Sequence, residues 1–181
     1  SHANLTDEYA AIPQEMRAVA KLLGKDVLGE TDPAEFYARL GEFRGKVPDR
    51  ALLRAMHFYG DNQRVLDQAE ALRKGDFQRF LSLVRDSGAS SMDLLQNIYP
   101  SGDPSERSLS LALALCRRLL EADGAWRVHG GGFAGTVQAF VPMAKLEEFR
   151  QKMESVFGAG TCHDLSVRPA GGIRVMAEGE A

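Results

Sequence analysis

The sequence predicts an α+β fold in which helices pack on a small antiparallel sheet. Apolar residues recur at helical spacing through the first two-thirds of the chain and alternate as in strands through the last third. The order β–β–α–β–β after a long helix then places helices on one face of an antiparallel layer. With 181 residues, 44% of them hydrophobic and 26% charged, the chain can bury a core of its own.

Pro13 is read as the first turn of a helix, where its missing N–H is not needed. Met16, Val19, Ala20 and Leu23 give that helix one face and Gly24 its stop. Asp32-Pro33-Ala34-Glu35 is a start signal, with Asp32 as cap and Glu35 reaching back as in a capping box; Phe36 and Leu40 share the face that follows. Pro48-Asp49 opens a helix to about Lys74, with Leu52, Met56, Tyr59, Gln63 and Leu66 on one stripe and Val65, Ala69 and Leu72 widening it. Gly75-Asp76 breaks it, and Phe77, Phe80, Leu81 and Val84 mark another helix. The stretch from Ser87 to Asp103 is mixed and includes a loop.

Asp103-Pro104-Ser105-Glu106 repeats the cap pattern before Leu109, Ala112, Leu113, Cys116, Leu119 and Leu120, a helix ending by Gly124. Residues 125–129 and 133–141 read as strands, and 143–157 as a helix with Leu146, Phe149, Met153 and Phe157 on one face, closed by Gly158 to Gly160. Leu165 to Val167 and Ile173 to Val175 read as two more short strands around the turn Pro169 to Gly172. This pattern predicts that Leu113, Phe140, Leu146, Phe149, Val167 and Val175 meet in one helix-on-sheet layer.

Lys and Arg number 22 against 25 Asp and Glu, a net charge of -3. The basic residues between Arg39 and Arg79 are interleaved with acids. That suits exposed helix faces, and no nucleic-acid partner is expected. No apolar run approaches the ~20 residues that span a bilayer, so no membrane partner is expected, and no signal peptide is recognised. Cys116 and Cys162 make no disulfide framework, which points to a reducing, cytoplasmic setting. His129, Cys162 and His163 lack ligand spacing, so no metal site is expected. Ser1-His2-Ala3 reads as a cloning remnant. The rest, 4–181, reads as one domain of a longer protein, helical over about 4–123 and α+β over about 124–181.

One segment carries chemistry: Arg127-Val-His-Gly-Gly-Gly-Phe-Ala-Gly-Thr136. Its glycines, Gly130, Gly131, Gly132 and Gly135, allow positive φ and let main-chain amides approach a ligand, as phosphate loops require. The spacing formally satisfies GxGxxG, but the strand-like Thr-Val-Gln-Ala-Phe-Val that follows excludes the dinucleotide reading, which needs a helix there. The Walker pattern is absent. A plain glycine-rich hairpin turn is the alternative. Arg54, His57, Asn62 and Arg64 form a polar helix face, packed on another helix or bracing a domain interface. Trp126 and Phe133 flank the loop and read as core anchors.

The glycine segment resembles the third signature of the GHMP small-molecule kinases, in the form RMTGGGFGG that the galactokinase family carries; Arg127, Gly130, Gly131, Gly132, Phe133 and Gly135 match. The stretch Arg54 to Leu81 resembles the same family's pattern RxxHxxxENxRVxxAxxALxxGD through Arg54, His57, Asn62, Arg64, Val65, Ala69, Ala71, Leu72, Gly75 and Asp76. Val167-Arg-Pro-Ala-Gly-Gly172 is similar to its C-terminal end. The chain departs from the pattern at Asp61 for Glu, Gly88 for His, His129 for Thr and Ala134 for Gly, and its Ser91 to Tyr99 lacks the family's RDxY-like run.

The resemblance implies a ferredoxin-like split βαβ fold of the GHMP-kinase C-terminal type, belonging to an ATP- and Mg²⁺-dependent sugar kinase. It implies that Gly130, Gly131, Gly132, Phe133 and Gly135 complete a phosphate site, supported by Arg127, His129 and Thr136. The catalytic residues and the sugar signature would lie in an absent N-terminal domain, the chain's expected partner along with the sugar. The chain alone would then be inactive and hold no cofactor, and could dimerise through the orphaned face. The resemblance leaves two alternatives: a non-catalytic sugar- and ATP-binding regulator of transcription, and a mevalonate- or homoserine-type kinase.

Overall fold

The computed structural model describes residues 5–133 and 135–170. The chain divides into two compact units, Ser1–Leu146 and Glu147–Ala181.

The first unit opens with α1 (Thr6–Leu22). Pro13 lies inside this helix, not at its start; Thr6 to Ile12 are already helical, so one interior hydrogen bond is forfeited. Helix α2 (Pro33–Ala38) is capped as expected, Asp32 accepting the Ala34 N–H at 2.8 Å. Glu35 does not reach back; Arg39, one turn on, takes it instead at 2.7 Å. A four-residue helix α3 (Leu40–Phe43) leads to the long α4 (Asp49–Arg73). Val19, Ala20, Phe36, Phe43, Ala51, Leu52, Ala55 and Tyr59 bury together as the helical core. The expected stripe of α4 holds only in its first half, for Val65, Leu66 and Leu72 are exposed. Periodicity marks an apolar face but does not say that anything covers it.

Asp76 caps α5 (Phe77–Ser90) by accepting the Arg79 N–H at 2.9 Å. The helix then widens into a π turn over Ser91–Leu95, which Gln96 ends at φ +57°. This is the stretch read as partly loop. Helix α6 (Ser108–Leu120) starts later than the Asp103 signal implies. Asp103 accepts the Ser105 N–H at 2.9 Å and Glu106 the Ser108 N–H at 3.2 Å. Asp103 thus satisfies a turn before the helix, and Glu106, three residues on, takes the N–H of the helix's first residue.

Strands β1 (Ala125–His129) and β2 (Thr136–Phe140) pair antiparallel, from Ala125 opposite Phe140 to His129 opposite Thr136. Leu81, Val84 and Ala125 pack with Phe80 and Phe140; Ile98, Leu109, Leu113 and Val128 pack with Met92, Trp126 and Val137. Trp126 is thus a core anchor. Helix α5 lies on β1 so closely that a Cβ on Gly88 would sit 2.9 Å from the Trp126 carbonyl oxygen and 3.1 Å from the Arg127 Cβ. The departure from His at this position has that packing as its physical account. Gly88→Ala should cost ~1–2 kcal/mol, although Ala is the better helix former by ~1 kcal/mol. Thermal denaturation of the chain checks this; an unchanged or raised melting temperature would contradict the packing.

In the second unit α7 (Leu146–Phe157) buries Phe149 and Met153, and Gly158 leaves the helix at φ +106°. Glu154 then accepts the Gly160 N–H at 3.1 Å, and Arg150 pairs with Asp164. The α+β class stands, as a mostly helical fold with a two-stranded sheet among the described residues. Two expectations about the tail change. Leu165 to Val167 form no strand, and Val167, 92% exposed, belongs to no core layer. Ile173 to Val175 lie outside the described residues.

Candidate functional site

The glycine run is the connection of the β1–β2 hairpin, and a strand follows it, as the sequence requires for rejecting the dinucleotide motif. Its conformation goes beyond an ordinary turn. Gly130 and Gly132 have φ of +77° and +84°, and Phe133 has φ +57° without being glycine. The left-handed conformation costs a side-chain-bearing residue ~1–2 kcal/mol, so neighbours must hold it. Phe133 is buried and meets the Tyr9 ring edge-to-face at 5.1 Å. The Phe133 N–H donates to the Asn97 main-chain carbonyl at 2.6 Å. The Asn97 side-chain amide donates to Gly131 O at 3.3 Å, and the Tyr9 hydroxyl to Gly132 O at 3.0 Å. Gly132 fits so tightly that a Cβ would lie 2.0 Å from the Asn97 carbonyl oxygen.

Three parts of the chain therefore make one seat: Tyr9 from α1, Asn97 after the π turn, and the loop. Within the loop, Gly132 and Phe133 are buried, while His129, Gly130, Gly131, Gly135 and Thr136 face solvent. Residues 129–133, 135 and 136 carry no carboxylate, and the exposed ones offer main-chain groups, the His129 ring and the Thr136 hydroxyl. Tyr9 and Asn97 carry no signal in the local sequence, since their partners lie 123 and 34 residues away.

Arg127 does not reach into the loop. Its Nη1 donates to Ser87 Oγ at 2.7 Å, and that hydroxyl donates to Asp61 at 2.5 Å. Asp61 also accepts from Arg64 at 3.0 Å and faces His57 Nε2 at 3.8 Å, while His57 Nδ1 bonds Ser90 Oγ at 2.9 Å. This buried chain ties α4, α5 and β1 together. Of the polar face read on α4, Arg54 and His57 are buried and Arg64 half-buried inside the unit, while Asn62 is exposed. The departure Asp61 is a fully partnered member of it. Nearby, Glu15 on α1 binds Arg50 at 2.6 Å and the wholly buried Arg54 at 2.9 Å, and Arg54 Nε donates to Leu95 O at 3.1 Å at the end of the π turn. Among the described residues no group of His, Cys, Asp and Glu could hold a metal, and no helix is long and apolar enough to cross a membrane.

Burial lowers the His57 pKa below 6.5, outweighing the attraction of Asp61. Burial alone would raise Asp61, but the hydrogen bonds from Ser87 and Arg64 lower it below 3.8. For both groups the unfolded chain binds protons more readily than the folded one. Their stabilisation is complete above the unfolded pKa and is lost as pH falls, from about 6.5 for His57 and from about 3.8 for Asp61. His57→Gln should flatten the melting temperature against pH just below 6.5 and leave the steeper loss below 4. An unaltered profile would contradict the account.

No protein-family model matches the chain. It is 31% identical over 150 residues to a galactokinase of Mannheimia succiniciproducens and, equally, to one of Actinobacillus pleuropneumoniae. Each match covers 83% of this chain and 37% of the relative. The chain thus spans little more than a third of the length of these relatives. A crystal structure of Lactococcus lactis galactokinase complexed with galactose superposes with a TM-score of 0.62 at 25% identity, covering 84% of this chain and 38% of that one. Over 83% of its length the chain is homologous to galactokinases, as a sugar-kinase-like domain consistent with the C-terminal part of such a protein.

Proposed function

We propose that the whole protein is a galactokinase and that this chain supplies the glycine loop that closes its nucleotide site. The γ-phosphoryl of ATP would pass to a galactose hydroxyl oxygen, ADP would leave, and the hydroxyl proton would go to a base in the N-terminal domain. The observation that carries this reading is the loop itself: a side-chain-poor span held in an unusual backbone shape by two distant residues, in a chain whose relatives are galactokinases. Its peptide groups suit ATP phosphates, which are recognised by position and charge more than by covalent chemistry. Residues 129–133, 135 and 136 offer no carboxylate for Mg²⁺, so in this reading its ligands come from the N-terminal domain.

The regulator alternative rested on departures from the family pattern. Asp61 and Gly88 now have local structural accounts, and Ala134 lies outside the described residues, so no observation favours it. Galactose-dependent ADP release tests the proposal. The protein that joins this chain to its N-terminal domain should release ADP only with galactose and MgATP, and the 181-residue chain alone should release none. Binding of both ligands without turnover in the joined protein would overturn the enzyme reading in favour of the regulator.

A further inference from the structure

We propose that Asn97 is a positioning residue of the glycine loop, fixing which way the Gly131–Gly132 and Gly132–Phe133 peptides face. Its side-chain N–H groups hold the Gly131 carbonyl, and its own carbonyl holds the Phe133 amide. A trans peptide keeps N–H and C=O on opposite sides. Anchoring Gly131 O therefore turns the Gly132 N–H away from Asn97, and anchoring the Phe133 N–H turns Gly132 O away, toward the Tyr9 hydroxyl. One residue thus acts on two successive peptide planes, the second of which the Tyr9 hydroxyl and the Gly135 N–H also hold at Gly132 O.

The position of Asn97 is itself over-determined. It is 2% exposed, and it follows Gln96, whose left-handed φ ends the π turn that Arg54 holds at Leu95 O. The amide's orientation is settled by the loop, because an oxygen facing Gly131 O would repel it. That leaves Asn97 Oδ1 buried without a protein partner. Leaving such an acceptor unpaired costs ~1–3 kcal/mol, and an apolar residue would avoid that cost. The donor toward Gly131 O is the function that an amide supplies here and an apolar residue cannot.

The consequence for catalysis rests on the galactokinase reading; the positioning role does not, and the test separates them. Amide hydrogen exchange by NMR is measured on the 181-residue chain with Asn97→Asp. The introduced carboxylate has the same shape but sets a negative oxygen against Gly131 O. At neutral pH the Phe133 amide should exchange at least about tenfold faster while core amides such as those of Ala55 and Leu81 stay unchanged. Acidification that protonates the carboxyl restores a donor, so protection at Phe133 should return. A mere packing defect would not titrate. Should this variant fail to fold, Asn97→Ala is used, with the same increase expected at Phe133.

Unchanged exchange at Phe133, or a loss that acid does not reverse in a folded Asn97→Asp chain, overturns the proposal. In the joined protein, Asn97→Asp should raise KM for ATP or lower kcat by about a hundredfold in kcat/KM, while KM for galactose stays within twofold. Faster loop exchange with unaltered ATP kinetics upholds the positioning role and overturns the phosphate reading instead.

Discussion

Gly132→Ala is expected to lower the stability of the chain by about 2–4 kcal/mol. Positive φ alone costs Ala ~1 kcal/mol. The added Cβ would also lie 2.0 Å from the Asn97 carbonyl oxygen and 2.7 Å from its side-chain nitrogen, and overpacking of that kind costs ~1–3 kcal/mol more. For a chain of this size the melting temperature should fall by roughly 5–15 °C. Gly130→Ala is the control. Its φ is similarly positive, but nothing lies within 4 Å of the new Cβ. It should cost only ~1 kcal/mol. Equal losses for the two variants would mean that the loop is not pressed against Asn97.

Glu15→Ala should be more damaging still, by about 3–5 kcal/mol. The Glu15 carboxylate is shared by Arg50 and by Arg54, whose side chain is wholly out of water. Burial already pulls the Arg54 pKa down against the attraction of Glu15. Without Glu15 a guanidinium is buried with only the Leu95 carbonyl to hold it. Arg54→Met makes the contrast, because it removes the buried charge and leaves Glu15 paired with Arg50. It should cost ~1–3 kcal/mol, chiefly the unsatisfied Leu95 carbonyl. Because Arg54 is buried, the loss in Glu15→Ala should change little between low and high salt. Chemical denaturation of the two variants checks the ranking, and the reverse order would contradict it.

Much of this was legible in the sequence where the signal is local. The cap at Asp32, the break at Gly75-Asp76, the run of α4 and the two strands flanking the glycines each depend on residues a few positions apart; that Asp76 also caps α5 emerges only in the structure. Signals that need a partner were misread. The apolar spacing of Val65, Leu66 and Leu72 is helical, yet those side chains are exposed. Leu165 to Val167 alternates like a strand, but Leu165 and Val167 stand exposed to solvent. Asp103 has the pattern of a cap but satisfies a turn, and Glu106 accepts from Ser108, the first helical residue. The loop's composition announced its conformational freedom. The seat that uses this freedom was invisible, because Tyr9 and Asn97 act through contacts that no spacing encodes and, for Asn97, partly through its main chain.

The claim that the loop from Gly130 to Gly135 serves phosphate transfer is tested most directly by turnover per folded molecule. The variant is Gly132→Ala in the whole protein as proposed, this chain joined to an N-terminal domain, at a temperature where both it and the wild type stay folded. Displacing phosphate-positioning groups by ~1 Å costs about a hundredfold in rate, so galactose-dependent turnover per folded enzyme should fall by that order. Turnover equal to wild type in the folded variant would show that the run is a structural hairpin and nothing more.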